Sequence, residues 1–290
     1  MSENLRNLMN FLRFVGLILA DKGGYGKNKK FKLLKDYLKL KLIHSVSKIF
    51  SLKINRLKFF GYEIEIFDIN TSVSLIESIF IENEYFFRSK TRSPKVFDLG
   101  SNIGLSVLYF KTHFPNSEII SFEADPRTAE VLNKNVRINS LRKVKVLNNA
   151  VTNKKEIISF FVDLKGPGSP LMSTNKNRLP KDEILVNSVK LSGYIKEPVD
   201  LIKMDIEGSE SDVLNDLVDR KKLKYIKQMI IEYHHHIDPN IDNFSHFLGL
   251  LESNGFGYQI HASQKPPFTP KTFEDVSIFA YNLAYFQPKK

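Results

Sequence analysis

The 290-residue chain has no cysteine, which excludes disulfides, thiolate zinc sites and a cysteine nucleophile together. A reducing, cytoplasmic setting is the expectation this permits. Long apolar runs are also missing: Leu8 to Ala20 is interrupted by Arg13 and falls short of the ~20 apolar residues a bilayer crossing needs. Read as a signal peptide, that stretch has a short core and a weak cleavage context. The sequence has no internal repeat and no low-complexity tract. Negative charge is scarce at one end. Residues 1–60 hold 14 Lys and Arg against Glu3, Asp21 and Asp36, while the rest of the chain holds 29 of each sign, so the net charge of +11 belongs to the N-terminal segment. Any polyanionic surface meets the protein there. Residues 1–50 are therefore expected to lie as a basic helix pair on an anionic membrane surface, peripheral at its inner face. The alternative is a pair of helices packed on the main domain with their lysines in water.

The apolar pattern divides the chain into a basic helical extension, residues 1–52, and a main domain, residues 53–290. Residues 29–50 carry apolar side chains at helical spacing. "LKFFGYEIEIF" reads as two short strands around Gly61, and "SVSLIESIFI" as a helix leading to Tyr85. From Lys95 onward strand, turn and helix alternate. The strands are "KVFDLG", "SEIISFEA", "KVKVLNNAV", "VDLIKMDIEG" and "IKQMIIEYHHH", followed by "FGYQIHA" and "SIFAYNLAYF". Pro126 starts one of the intervening helices and Gly255 ends another. This alternation predicts an α/β fold, a largely parallel sheet covered by helices on both faces. Ligands in such sheets sit at the carboxyl ends of the strands.

The first strand ends in Asp98-Leu99-Gly100-Ser101-Asn102-Ile103-Gly104. Gly100 permits positive φ and close approach of the backbone to a ligand, and Gly104 lets the next helix start tight against the strand. Asp98 offers a carboxylate to a cationic group beside the loop. G-x-G-x-x-G is absent, so a dinucleotide fingerprint is not met, and "GGYGKN" lacks the parts of a P-loop. A plain strand-to-helix turn is the competing reading. Glu123, at the end of the second strand, can accept both hydroxyls of a ribose. Asn148 and Asn149 end the third, either as amides reading an adenine edge or as a capped turn. Together the three ends describe a pocket for a cationic, ribose-bearing adenine ligand. In the fourth, Lys203, Asp205 and Glu207 alternate along an extended backbone and so share one side, an expensive arrangement unless used or paired. In the fifth, Glu232, His234 and His236 share a face, where a histidine can take a proton or bind a metal. His235 and His236 read as a solvated loop.

"VFDLGSNIGLS", "SFEADP", "NNAV" and "VDLIKMDIEGSE", in this order, resemble the FkbM family of S-adenosylmethionine-dependent methyltransferases over about residues 55–285. "KMDIEGSE" is the most family-specific of these, and Ser101 stands where alanine is commoner. The resemblance implies a class I methyltransferase, Rossmann-like seven-stranded sheet whose last strand is antiparallel, and O-methylation of a hydroxyl on a sugar, glycolipid or secondary metabolite. It implies that Asp98, Gly100, Asn102 and Gly104 line the methionine part of S-adenosyl-L-methionine and that Glu123 holds its ribose. Asp205, Glu207 and His234 are then expected around the acceptor hydroxyl, with Lys203 beside them, one of them taking the proton. A variant places Mg²⁺ between these acids, although no residue is assigned as a dedicated metal ligand. The segment Lys165 to Asp182 is too long for a plain connection and is expected either to close over a small-molecule, glycan-linked or lipid-linked acceptor or to be a surface loop. Two other functions compete. One is a nucleotide-binding oxidoreductase of similar architecture, disfavoured by the missing glycine motif. The other is a non-enzymatic module docking through its basic helices. Nucleic acid is not expected as substrate, because the catalytic region is neutral.

Overall fold

The structure, a computed structural model, describes residues 3–20, 24–164, 168, 172–175, 182–238, 240–241, 243–262 and 273–286. It opens with two helices, α1 (Glu3–Ala20) and α2 (Gly26–Phe50). A hairpin of β1 (Arg56–Phe59) and β2 (Tyr62–Glu65) follows, then α3 (Ile69–Ile76), which runs on as one π-helical turn, Glu77–Glu82. Next come β3 (Lys95–Leu99), α4 (Leu105–His113), β4 (Glu118–Phe122), α5 (Pro126–Ile138) and β5 (Val144–Leu147). After β6 (Ala150–Val151), β7 (Ile157–Val162) and β8 (Asp182–Val189), the alternation resumes with β9 (Leu201–Met204), α6 (Glu210–Asp219), β10 (Gln228–His235), α7 (Phe244–Ser253), β11 (Phe256–Ala262) and β12 (Glu274–Asn282).

Seven strands form the main sheet in the order β11-β12-β10-β9-β3-β4-β5. Its central pairs are parallel and β12 runs antiparallel to both neighbours, as expected for a class I methyltransferase sheet. The helix starts follow local chemistry. Pro126 occupies the first turn of α5, where a missing N–H costs nothing, and the Asp125 side chain accepts the Arg127 N–H.

Not anticipated was a second sheet of order β6-β8-β7, inserted between β5 and β9. β8 alternates exposed and buried positions, so its apolar content is too thin to stand out from a loop-like stretch. Most of the segment expected to cover the acceptor, Lys165 to Asp182, lies outside the described residues. Its described parts reach the site: Met172 and Thr174 line the central cavity.

Alternation along the strands sends successive side chains to two cores. Val96 and Leu201 join one, Phe97, Leu99 and Ile202 the other. The first is continuous from Phe14, Ile18, Leu33, Tyr37 and Leu40 of the N-terminal helices, through Phe59 and Phe80, to Leu108 and Phe110. The helices on either side of residue 52 thus share one core with the sheet.

Helix α5 also completes the edge of the hairpin. Asn139 accepts the Glu63 N–H (2.9 Å) and donates to the Glu63 carbonyl (2.7 Å). Asn135 does the same for Glu65 (2.7 and 3.0 Å) and donates to the Ile103 carbonyl (2.8 Å). Four residues of helix rise ~6 Å and two of strand ~6.6 Å, so two asparagines at i and i+4 match alternate strand residues. The side-chain amides stand in for a neighbouring strand.

Candidate active site

A cavity opens where β3, β4 and β9 end, and it gathers most of the residues expected there. Gly100, Ser101, Asn102, Glu123, Asn149, Lys203, Asp205 and Glu207 all line it. Asp98, Gly104, Asn148 and His234 are not among the residues that line it, and Asn148 is exposed.

The turn after β3 is fixed by its backbone. The Gly100 and Ser101 N–H groups both donate to the Phe122 carbonyl at 3.0 Å. Gly100 has φ +76°, and a Cβ there would lie 1.8 Å from the Asp205 carbonyl oxygen, so no side chain fits. Ser101 is buried, its hydroxyl donating to the Asp98 carbonyl (3.0 Å) and accepting from Ser121 (2.5 Å). Asn102 has φ +48° and donates its N–H to the Glu123 carboxylate at 2.9 Å. Gly104, at φ +92°, heads α4 with Leu132 packed where a Cβ would stand. Buried Glu123 also accepts the Asp125 N–H (3.0 Å). Burial pushes its pKa up from the usual 4.5 to about 7, against the opposing pull of those two N–H donors. Asn149 faces the cavity. Asn148 instead spends its amide on the Glu123 and Ala124 carbonyls, 2.9 Å each.

Asp98 is fully buried. Its Oδ2 accepts from Ser106 (2.6 Å), and its Oδ1 has no hydrogen-bond partner among the described residues. The cation beside it belongs to the chain: Lys203 Nζ is 3.8 Å away. Burial raises the Asp98 pKa against that attraction. Lys203 is itself buried, donating to the Gly100 carbonyl (2.6 Å) and lying 3.3 Å from Asp205 Oδ2 and 5.2 Å from the Tyr85 ring centre. Burial alone would lower its pKa, but Asp205 and Asp98 hold it above the ordinary value. It ties the glycine turn to the acid that follows β9.

Strict alternation does not persist past Met204. Glu207 and Gly208 have φ +55° and +111°, so the chain leaves the strand and curls into α6. Asp205 and Glu207 nevertheless share the cavity wall. His234, on β10, is buried behind them. Its Nδ1 lies 2.7 Å from Glu210, and its Nε2 is 3.3 Å from Glu207 and 3.9 Å from Asp205. Nε2 has no hydrogen bond of acceptable geometry among the described residues. Burial opposes protonation of this imidazole, but Glu210 and Glu207 outweigh it and hold the pKa well above 6.5. Glu232 is lifted to about 9, first by Asp205 and then by burial.

The solvated loop expected for the following histidines is not what forms. His235 still belongs to β10, and both it and His236 are half-buried with rings 3.9 Å apart, because packing against Phe244 extends the strand's cover. Sequence reasoning also missed Glu210 and Tyr85. Glu210, at the head of α6, accepts the Gly208 N–H and orients His234, and nothing in its spacing separates it from an ordinary helix-start acid. Tyr85 lies before the first strand of the repeating pattern, where no strand end marks it.

The sheet order, the glycine turn and the acids after β9 together define the class as a Rossmann-like methyltransferase. Residues 98–258 match the Methyltransferase FkbM domain family. The chain is 28% identical over 226 residues to a methyltransferase from Sordaria araneosa, sdnD, covering 64% of this chain and 84% of the relative. It is 26% identical over 215 residues to methyltransferase 1 of Beauveria bassiana, covering 67% and 83%. Among solved structures it is similar to the methyltransferase FkbM of Methylobacillus flagellatus, with a TM-score of 0.45 and 18% identity, over 68% of this chain and 45% of that one. This protein belongs to the FkbM methyltransferase family, and it is a methyltransferase. The oxidoreductase and non-enzymatic readings fall away.

Proposed function

We propose that this methyltransferase uses S-adenosyl-L-methionine to methylate a hydroxyl of a small molecule, either a sugar, a glycolipid or a secondary metabolite. The observation that carries the reading is one cavity with Glu123 and the Gly100–Asn102 turn on one side and Asp205 and Glu207 on the other. Bound there, the cofactor supplies an electrophilic methyl group on a sulfonium, so that a carbon–oxygen bond forms as the carbon–sulfur bond breaks. The chain supplies position and a proton acceptor. Glu123 accepts the ribose hydroxyls, the glycine turn is the wall for the methionine part, and Asn149 stands by the adenine. Alignment of acceptor oxygen, methyl and sulfur supplies most of the rate. Asp205, the more exposed of the two cavity acids, takes the hydroxyl proton. Glu207 and His234 position it, with His234 itself held by Glu210.

One observation favours a divalent cation in the same place. Ligand atoms of Asp205, Glu207 and His234 lie within 4.8 Å of one another, the imidazole nitrogen facing the acids being 3.3 Å from Glu207 and 3.9 Å from Asp205. The opposite ring nitrogen is held by Glu210, the usual outer partner of a metal-bound histidine. The two carboxylates suit Mg²⁺ and the imidazole a softer divalent ion such as Zn²⁺ or Fe²⁺, and His234 would have to give up its proton to bind either; an ion held there would add Lewis-acid polarisation of the hydroxyl.

The test is transfer of labelled methyl groups into a fractionated cell extract, run with and without excess chelator. Asp205→Asn and His234→Ala are expected to lose about 10²- to 10⁴-fold in turnover while still binding S-adenosylhomocysteine. Unchanged turnover in both variants sinks the assignment, and full activity in chelator removes the cation.

A further inference from the structure

The two N-terminal helices have a second apolar face that the fold leaves open. In α2, Leu33, Tyr37 and Leu40 are buried against the core, while Phe31, Leu42 and Ile49 are 72%, 64% and 74% exposed and Leu38 is also exposed. At 3.6 residues per turn, Phe31, Leu38, Leu42 and Ile49 fall within about 40° of arc, on the side away from the core. In α1, Leu8, Leu12 and Leu19 are exposed in the same way opposite buried Phe14 and Ile18. Exposed Lys35 and Lys39 border the α2 stripe along one side. An aligned apolar row among lysines is neither a solvated helix face nor a scatter of single surface residues.

From these faces we infer that α1 and α2 seat the protein on an anionic lipid bilayer, apolar side chains in the acyl boundary and lysines on the headgroups. No helix among the described residues is long and apolar enough to cross a membrane, so the seat is interfacial. Charge selects this occupant over a second copy of the chain. Residues 1–60 carry 14 basic groups against three acids, and a symmetric contact would set like charge on like.

The helices are fastened to the wall of the catalytic cavity. Tyr37 donates to Glu77 at 2.8 Å and Lys41 pairs with it at 3.0 Å, while Tyr25 donates to the Phe80 carbonyl at 2.8 Å. Ile79, in that same π-helical turn, and Leu75 just before it line the cavity. A bilayer on the open faces of α1 and α2 therefore lies one helix layer, about 10 Å, from the elements that shape the cavity. Resting on the proposed hydroxyl methylation, this assigns the acceptor to lipid-linked or membrane-partitioned molecules.

The test is cosedimentation of the full chain with vesicles of phosphatidylglycerol and phosphatidylcholine, or of phosphatidylcholine alone. It needs no methyl transfer, so its failure is distinct from failure of the reaction assignment. Binding is expected only to the anionic vesicles, weakening as salt rises from about 0.05 to about 0.5 M. The combined variant Phe31→Ser, Leu42→Ser, Ile49→Ser should lower partition at least about tenfold, and Lys35→Glu with Lys39→Glu should lower it too, with circular dichroism unchanged. No binding by the wild-type chain overturns the inference, as does binding that neither variant weakens. So does a stable dimer in light scattering that the serine variant dissociates.

Discussion

With Glu123 as the proposed ribose acceptor, its burial predicts that ligand binding depends on pH. Its folded pKa, about 7, lies above the ordinary 4.5 because it is buried. The fold therefore favours the protonated acid, and the stability it contributes is complete below about pH 4.5 and is lost as pH rises through about 7. Ribose hydroxyls donating to it favour the carboxylate instead. Affinity for S-adenosylhomocysteine should therefore rise between about pH 5.5 and 8, with proton release near the lower end, and Glu123→Gln should flatten the profile. Titration calorimetry across that range reads both effects, and a flat wild-type profile would separate Glu123 from the ribose. Gly100 is equally specific in geometry, since the space its side chain would need is already held by the Asp205 carbonyl.

At the scale of elements, the asparagine pairs on α5 hold the hairpin where a strand otherwise would. Asn135 is buried and serves three backbone groups. Removing it leaves those groups unpaired, at a cost of about 2–4 kcal/mol for Asn135→Ala, or a drop of roughly 3–7 °C in Tm. Asn139 is half-buried, so water can replace its bonds, and Asn139→Ala should cost about 1 kcal/mol. Thermal denaturation of the two variants tests the contrast. Equal losses would mean that burial does not set the cost. The π-helical turn after α3 is the second such device. It carries Ile79 into the cavity wall while Phe80 and Glu77 face the N-terminal helices.

For the whole molecule, charge and core divide differently. The net positive charge is carried by residues 1–60, yet the apolar core runs without a break from α1 into the sheet. A chain lacking residues 1–50 loses the cover given by Phe14, Ile18, Leu33, Tyr37 and Leu40. At about 1.5–3 kcal/mol each, that burial amounts to roughly 10 kcal/mol, comparable with the whole stability of a domain. The truncated chain should aggregate or unfold without a cooperative transition, as light scattering and calorimetry would show. A soluble truncated chain with an unchanged Tm would instead make the helices a separable extension.

The sequence by itself determined the sheet. Buried strands such as "KVFDL" are apolar on both faces, and their alternation with helices leaves one handed, largely parallel solution. It also placed Gly100, Glu123, Asp205 and Glu207 at strand ends, because topology puts ligands there. What it could not determine came from contacts between distant segments. Asp98 and Lys203 meet across neighbouring strands, Glu210 and His234 across a helix and a strand, and Asn148 turns to the backbone of β4's end. The small sheet of β6, β7 and β8 escaped because a half-exposed strand carries too few apolar residues to be seen locally. Only the tertiary structure decided which apolar face of α2 is core and which is open, since the two faces look alike until one of them has been packed.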